Sequence, residues 1–197
     1  MGRSSFHGRA LLVLGAALWT GNSAQAQSLI HRAGGAAANE RQGTAVAIVG
    51  DLNGDRKAEF AVGATGAAAS FGVVRLYSGA NGSLLWSIQG PNSGSSFGAS
   101  LAALGDVDGD GRGYLAIGAP LANATGAVGC GIVRVVSGAS GATLRQFRGD
   151  SAGDHLGWSV GCAGDVDHDG VPDVLGGAVD DDDTGDSAGS VRVWSGA

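Results

Sequence analysis

Three short stretches of the chain carry oxygen-bearing side chains at alternate positions: Asp51, Asn53 and Asp55; Asp106, Asp108 and Asp110; Asp165, Asp167 and Asp169. In a tight loop, side chains at positions 1, 3 and 5 converge, and converging carboxylates call for a cation. Hard oxygen donors on a flexible loop suit calcium better than zinc or copper. Position 9 adds a further acid in two of the stretches, Glu59 and Asp173, but is Tyr114 in the other. Position 7 offers a backbone carbonyl, from Lys57, Arg112 and Val171 respectively. A calcium ion takes about 6 to 8 such oxygens. The third stretch is the fullest expected site. The first loses charge through Asn53 and has Arg56 and Lys57 beside it. The second, without an acid at position 9, is expected to be the weakest or empty.

An EF-hand also places acids at 1, 3 and 5, but it requires a bidentate acid at position 12 and flanking helices. Position 12 here is Val62, Ile117 and Gly176, which excludes that motif. The competing reading is three ordinary acidic turns, since Asp, Asn and Gly favour turns in any case. Their phasing argues against it, because each stretch opens the same place in a longer repeat.

That repeat supplies the elements that must position the loops. Asp51 and Asp106 are 55 residues apart, and Asp106 and Asp165 are 59 apart. Gly43, Gly98 and Gly157 begin the strand before each loop, and Gly63-Ala64, Gly118-Ala119 and Gly177-Ala178 end the strand after it. Gly72-Val-Val-Arg75-Leu-Tyr-Ser78-Gly79-Ala80 recurs at 131–139 and at 189–197. A period of this size marks a propeller or an array. In the second repeat the expected strands are Ala99 to Leu104, Tyr114 to Gly118, Gly131 to Val136 and Ala142 to Phe147. Four antiparallel strands per repeat make a propeller blade. No stretch sustains a 3.6-residue apolar period, which excludes a helical reading.

The fold expected is therefore all-β, with propeller-type blades of four antiparallel strands in three repeats, around 28–82, 83–141 and 142–197. Ser28-Leu29-Ile30-His31 aligns with Ser83-Leu84-Leu85-Trp86 and reads as a fourth strand without a blade before it. Closed propellers have about 4 to 8 blades, so three do not close alone. The first expectation is a piece of a longer array, the next is copies that associate to close a ring, and the last is an open stack with exposed edges.

Residues 1–26 read as a secretory signal: Arg3, His7 and Arg9 precede the apolar run Ala10 to Trp19, and Ala24-Gln25-Ala26 supplies a small-x-small cleavage site. That run is short of the ~20 residues a membrane span needs, and no later segment reaches that length. The expectation is a secreted or cell-surface protein beginning near Gln27. The formal charge of -6 becomes more negative once Arg3 and Arg9 are removed, which argues against nucleic acid. Cys130 and Cys162 are compatible either with one disulfide or with two small buried thiols.

Together these motifs resemble the FG-GAP repeats of the integrin alpha-chain propeller and of related exported bacterial proteins. The second repeat carries both elements, Phe97-Gly98 and Gly118-Ala119-Pro120, on either side of the acidic loop. The third has Leu156-Gly157 and Gly177-Ala178-Val179, and the first has Gln42-Gly43 and Gly63-Ala64-Thr65. The resemblance covers essentially all of 28–197. It implies a beta-propeller whose loops hold calcium through positions 1, 3, 5, 7 and 9, and a role in adhesion or ligand binding to a protein or glycan. Tyr114, and three repeats against the family's usual seven, depart from that pattern.

Other motifs carry less. Gly157-Trp158-Ser159-Val160-Gly161 fits a nucleophile pattern, but Ser159 aligns with Ser100 inside an equivalent strand, and an elbow needs a strand-to-helix turn. His155 and His168 lack a zinc-binding pattern. Arg148-Gly149-Asp150 aligns with the turn Gln89-Gly90-Pro91 and reads as a turn. Asp180 to Asp183, with Asp186, reads as a solvated acidic loop, with an auxiliary cation site as the lesser reading. Arg75, Arg134 and Arg192 share one phase of the third strand and are expected to form a solvent-facing row, open to pairing with acidic neighbours, rather than a ligand patch. The reading is an exported, non-enzymatic, calcium-binding module; the alternative is the non-catalytic propeller portion of an exported hydrolase or lyase acting on polysaccharide or lipid.

Overall fold

A computed structural model describes residues 28–124 and 126–197. The signal segment expected over 1–26 lies outside the described residues. Residues His31–Ala197 form one unit, built from eleven strands in three antiparallel sheets. The first sheet has β1 (Gln42–Gly50), β2 (Glu59–Ala64), β3 (Val73–Tyr77) and β4 (Leu84–Gln89), paired in that order. The second has β5 (Ser100–Gly105), β6 (Tyr114–Ala119), β7 (Ile132–Ser137) and β8 (Thr143–Arg148), paired in that order. The third contains β9 (Leu156–Gly164), β10 (Asp173–Ala178) and β11 (Ser190–Trp194), in the order β11-β10-β9. These are blades of the expected kind, each strand hydrogen-bonded to the next in sequence. The sheets span 42–89, 100–148 and 156–194. The strand that opens the second and third repeats of the sequence therefore pairs with the blade before it.

Residues 28–31, expected as a fourth strand, form no strand. An extended segment needs a neighbouring strand to take its N–H and C=O groups, and none pairs with it among the described residues. Among the described residues helix is confined to one turn, Ala67–Ser70, in which Ala68 and Ala69 are left-handed (φ 52° and 54°).

The core lies between blades rather than around a single sheet. Val74 and Leu76 of the first blade pack with Phe97, Leu115, Ile117 and Ile132 of the second, with Leu101 and Ala103 half-buried against them. Val133 and Val135 pack with Leu156, Val174 and Val160 of the third. The middle strands are covered on both faces, so β6 is buried at every position and reads as a continuous apolar run. Phe97 is fully buried, contributing on the order of 2–3 kcal/mol.

The glycines of the two paired motifs have a common cause. A Cβ on Gly63 would lie 2.0 Å from the carbonyl oxygen of Gly98, and one on Gly118 would lie 2.0 Å from that of Gly157. Each blade thus brings its first-strand glycine, in left-handed conformation (Gly98 φ 85°, Gly157 φ 89°), directly onto the second-strand glycine of the blade before. Backbone meets backbone there, and only glycine on both sides leaves room.

Candidate metal centres

Each acidic loop is closed by the same irregularity. Gly50, Gly105 and Gly164 are cross-strand partners of Glu59, Tyr114 and Asp173, next to a register shift in each ladder. All three glycines have positive φ, the signature of a bulge that redirects the chain. Position 9 therefore begins the second strand opposite the residue that precedes position 1, and its side chain reaches back under the loop.

Inside the loops the carboxylates organise the backbone. Asp51 accepts the N–H groups of Gly54 (2.7 Å) and Arg56 (2.8 Å). Asp106 accepts those of Gly109 and Gly111, both at 2.8 Å. Asp165 accepts those of Asp169 (3.1 Å) and Gly170 (3.0 Å). Asn53, Asp108 and Asp167 each accept from the residue two further on. Asp55, Asp110 and Asp169 accept from Lys57, Arg112 and Val171, each at 2.8 Å. Positions 4 and 6 are left-handed in all three loops: Gly54 and Arg56, Gly109 and Gly111, His168 and Gly170. Burial pushes the Asp51 carboxyl up, but the N–H groups of Arg56, Gly54, Asn53 and Asp55 outweigh it, and the carboxyl sits below its ordinary value.

The position-9 residues anchor this frame from below. Glu59 is fully buried and accepts from the Leu52 N–H (2.6 Å) and from Asn53 Nδ2 (3.2 Å). Asp173, also buried, accepts from the Val166 N–H (2.7 Å) and the Gly196 N–H (3.1 Å). In the second loop the Tyr114 hydroxyl donates to Asp108. That hydrogen bond, with burial and the neighbouring carboxylates, pushes the phenol up to about 12.

Ligand oxygens of Asp51, Asp55 and Glu59 lie within 4.8 Å of one another, as do those of Asp106, Asp108 and Asp110, and of Asp165, Asp167 and Asp173. Asp169 stands partly aside, accepting from the Ser195 hydroxyl at 3.1 Å. The donor sets are all oxygen, carry three or four negative charges and face solvent on one side, which fits a hard divalent cation. Position 12 falls inside a strand in every loop, at Val62, Ile117 and Gly176.

A fourth acidic group was not assembled by the sequence reading. Asp150, Asp154 and Asp181 bring carboxylate oxygens within 4.8 Å, and Arg192 Nη2 donates to Asp150 (2.6 Å) and to Asp181 (2.5 Å). Asp181 is buried and belongs to a structured loop rather than a solvated one. The Ser190 hydroxyl and Arg192 hold its carboxyl below the ordinary value. Burial, then Asp150, pushes Asp154 up.

The arginine row turns inward instead of facing solvent, and two of its members, Arg75 and Arg192, pair with acidic neighbours as expected. Arg75 makes a bidentate pair with Glu40, both N···O distances 3.1 Å, and donates to Gln42 at 2.6 Å. Arg134 lies over the Phe97 ring, 4.9 Å from its centroid. The signal was present in the sequence: Glu40, Ser95 and Asp154 share a phase at spacings of 55 and 59 residues.

Cys130 and Cys162 are free thiols, Cys130 buried and Cys162 exposed. Ser159 lies within β9 opposite Gly177, and Gly149 of the Arg148-Gly149-Asp150 turn donates to the Gly131 carbonyl. At the end of the strands away from the acidic loops, Thr44, Thr65, Ser96, Pro120, Leu121 and Trp158 line a cavity of about 340 Å³ drawn from all three blades. Among the described residues no helix is long and apolar enough to cross a membrane.

Residues 42–77 match the FG-GAP repeat family model. Integrin alpha-V of Gallus gallus is 31% identical over 132 residues, covering 64% of this chain and 13% of that protein. Integrin alpha-3 of Cricetulus griseus is 36% identical over 102 residues, covering 48% of this chain and 9% of that protein. The chain thus matches only a small part of the length of either relative.

Proposed function

From the premise that this is an FG-GAP repeat protein resembling integrin alpha chains, we propose that it is an exported binding module whose blades are held by calcium. The observation that carries this reading is the threefold recurrence of one loop. In each, a first-position Asp is held by two N–H groups, a bulge brings position 9 beneath it, and oxygens gather within 4.8 Å. Asp51, Asn53, Asp55, Lys57 and Glu59 would hold one ion. Asp106, Asp108, Asp110 and Arg112 would hold a second, and Asp165, Asp167, Asp169, Val171 and Asp173 a third, with Lys57, Arg112 and Val171 contributing carbonyls. Calcium would supply positive charge and multidentate coordination that offset the repulsion of clustered carboxylates. The chain's own part is to pre-shape the loops through the bulge glycines and the buried acids Glu59 and Asp173. Tyr114 gives the second loop a neutral oxygen where the others have an acid, so that loop binds most weakly. The role is adhesion or ligand binding, with a glycan or protein partner received at the cavity around Trp158, whose lining side chains are uncharged.

Thermal unfolding with and without calcium tests the reading. Extracellular calcium modules bind at about 10⁻⁴ to 10⁻³ M. Calcium at about a hundred times that constant adds about 2.7 kcal/mol per occupied site. The midpoint should rise with calcium, and Asp167→Asn should reduce the rise. A midpoint that does not move between chelator and saturating calcium refutes the metal role.

A further inference from the structure

At the end of the strands away from the acidic loops two cavities adjoin, and we propose that together they bind an acidic glycan, with a sugar ring stacked on Trp158 and a carboxylate or sulfate group held by Arg41. This narrows, and rests on, the reading that a partner is received at the cavity around Trp158. That cavity measures about 340 Å³. A second, of about 360 Å³, has Asn39, Arg41, Ser70 and Gly94 in its walls. Thr65 and Ser96 line both, so the two meet along those residues. Each alone is near the lower end of the range for ligand pockets, about 300–1,000 Å³. Joined, they suit a ligand of more than one ring. The walls come from residues 39–158, all within the three blades.

The chemistry of the walls selects the ligand. A sugar ring has a face of C–H groups and a rim of hydroxyls. Trp158 supplies a flat apolar surface for the face. Thr65, Ser70 and Ser96 hydroxyls and the Asn39 amide supply donors and acceptors for the rim. Arg41 adds a cation. It enters none of the ion pairs among the described residues, and neither cavity has a carboxylate in its walls, although the chain carries a net charge of -6. Glu40, next to Arg41 in sequence, is already paired with Arg75. A small anion alone would leave Trp158 unused, and a neutral sugar would leave Arg41 unused. A peptide docks by extending a strand edge or by filling apolar pockets, but no strand contributes more than one residue to either cavity.

The backbone points the same way. Arg41, Ser96 and His155 are equivalent positions, 55 and 59 residues apart, and all three are left-handed, at φ 54°, 54° and 58°. Side chains are disfavoured in that conformation and glycine is not. Glycine is in fact used two residues to either side at the second and third junctions, at Gly94 and Gly98 and at Gly153 and Gly157. Each junction nevertheless keeps a side chain at the middle position, beside the cavities. Arg41 lines one cavity and Ser96 both. The His155 ring lies 6.3 Å from that of Trp158, tilted against it, and pairs with Asp180 at 2.7 Å. Strain retained in this way is characteristic of ligand-binding positions.

Isothermal titration calorimetry of the full chain in calcium tests it. The probes are a galacturonic acid trimer, for the carboxylate, and a sulfated galactan tetrasaccharide, for the sulfate, each against its neutral form (methyl-esterified or desulfated). At least one acidic probe should bind at least about tenfold more tightly than its neutral form. Arg41→Gly removes the cation where glycine is unstrained. It should melt no lower than wild type and bind acidic and neutral forms alike, whereas binding through calcium at the acidic loops would not respond to it. Trp158→Ala should weaken both forms together by at least about tenfold. No binding by either acidic probe overturns the inference, as does an aspartate-rich peptide bound more tightly than both, or Arg41→Gly binding like wild type. A neutral form that binds as tightly as its acidic one, and is lost in Trp158→Ala, overturns the acidic assignment while the cavity remains the place of binding. Acidic binding that survives Trp158→Ala overturns the cavity reading itself.

Discussion

Gly118 is the position where the packing of the blades can be tested most directly. A methyl group there would lie 2.0 Å from the carbonyl oxygen of Gly157 and 2.2 Å from Ser100 Oγ. The Ser100 side chain can rotate away, losing its 2.8 Å hydrogen bond to the same carbonyl, at about 1 kcal/mol. The carbonyl belongs to the backbone of β9 and cannot move without it. Restoring an ordinary carbon–oxygen separation of about 3.3 Å means parting the second and third blades by more than about 1 Å. That movement opens the layer in which Val133, Val135 and Leu156 are fully buried. Overpacking of adaptable cores costs about 1–3 kcal/mol, so Gly118→Ala is expected to lose about 3 kcal/mol or more. Gly161 is the control. A methyl there meets Leu175 at 3.4 Å, an ordinary contact, and the equivalent residues Ala47 and Ala102 already carry one. Gly161→Ala should be neutral or add about 0.5–1 kcal/mol by restricting the unfolded chain. Urea unfolding followed by tryptophan fluorescence reads both variants. With a slope of about 1–3 kcal/mol per molar, the Gly118 variant should lose about 1 M or more in midpoint. If its midpoint matches wild type, or if Gly161→Ala is the more damaging, the account of the paired glycines is wrong.

Tyr114 should give a tyrosinate absorbance step with a midpoint of about 12, absent in Tyr114→Phe; because the folded value is raised, its contribution to stability is complete below about pH 10 and lost as pH rises through about 12. Glu40 is held below its ordinary value by hydrogen bonds from Arg75, so its contribution is present above the unfolded value and lost as pH falls. Arg75→Gln should therefore flatten the fall in stability on acidification, and an unchanged acid limb of the curve would count against the pair. His168 occupies a left-handed position (φ 62°) that is Gly54 and Gly109 in the other loops; His168→Gly should be neutral or gain up to about 1 kcal/mol in melting experiments, whereas a loss of that size would show that the imidazole itself supports the loop.

Much of this architecture is legible in the sequence because it is local and repeated. Strands in the second blade fall within a residue or so of their expected ends, since glycine turns and apolar runs sit at the same phase in every repeat. The acidic loops are equally visible: ligands at 1, 3, 5 and 9 come from one short segment, whose turn is set by the residues it contains. Relations between residues far apart in the chain come instead from packing. Arg75, Arg134 and Arg192 show a phase in the sequence, but their partners Glu40, Phe97, Asp150 and Asp181 lie on other elements. Only the stacking of blades turns those arginines inward and draws Asp150, Asp154 and Asp181 together. Residues 28–31 have the sequence of an outer strand and yet form none, because a strand exists only when a neighbouring edge takes its hydrogen bonds. Spacing along the chain says which residues are equivalent; packing between blades decides which ones meet.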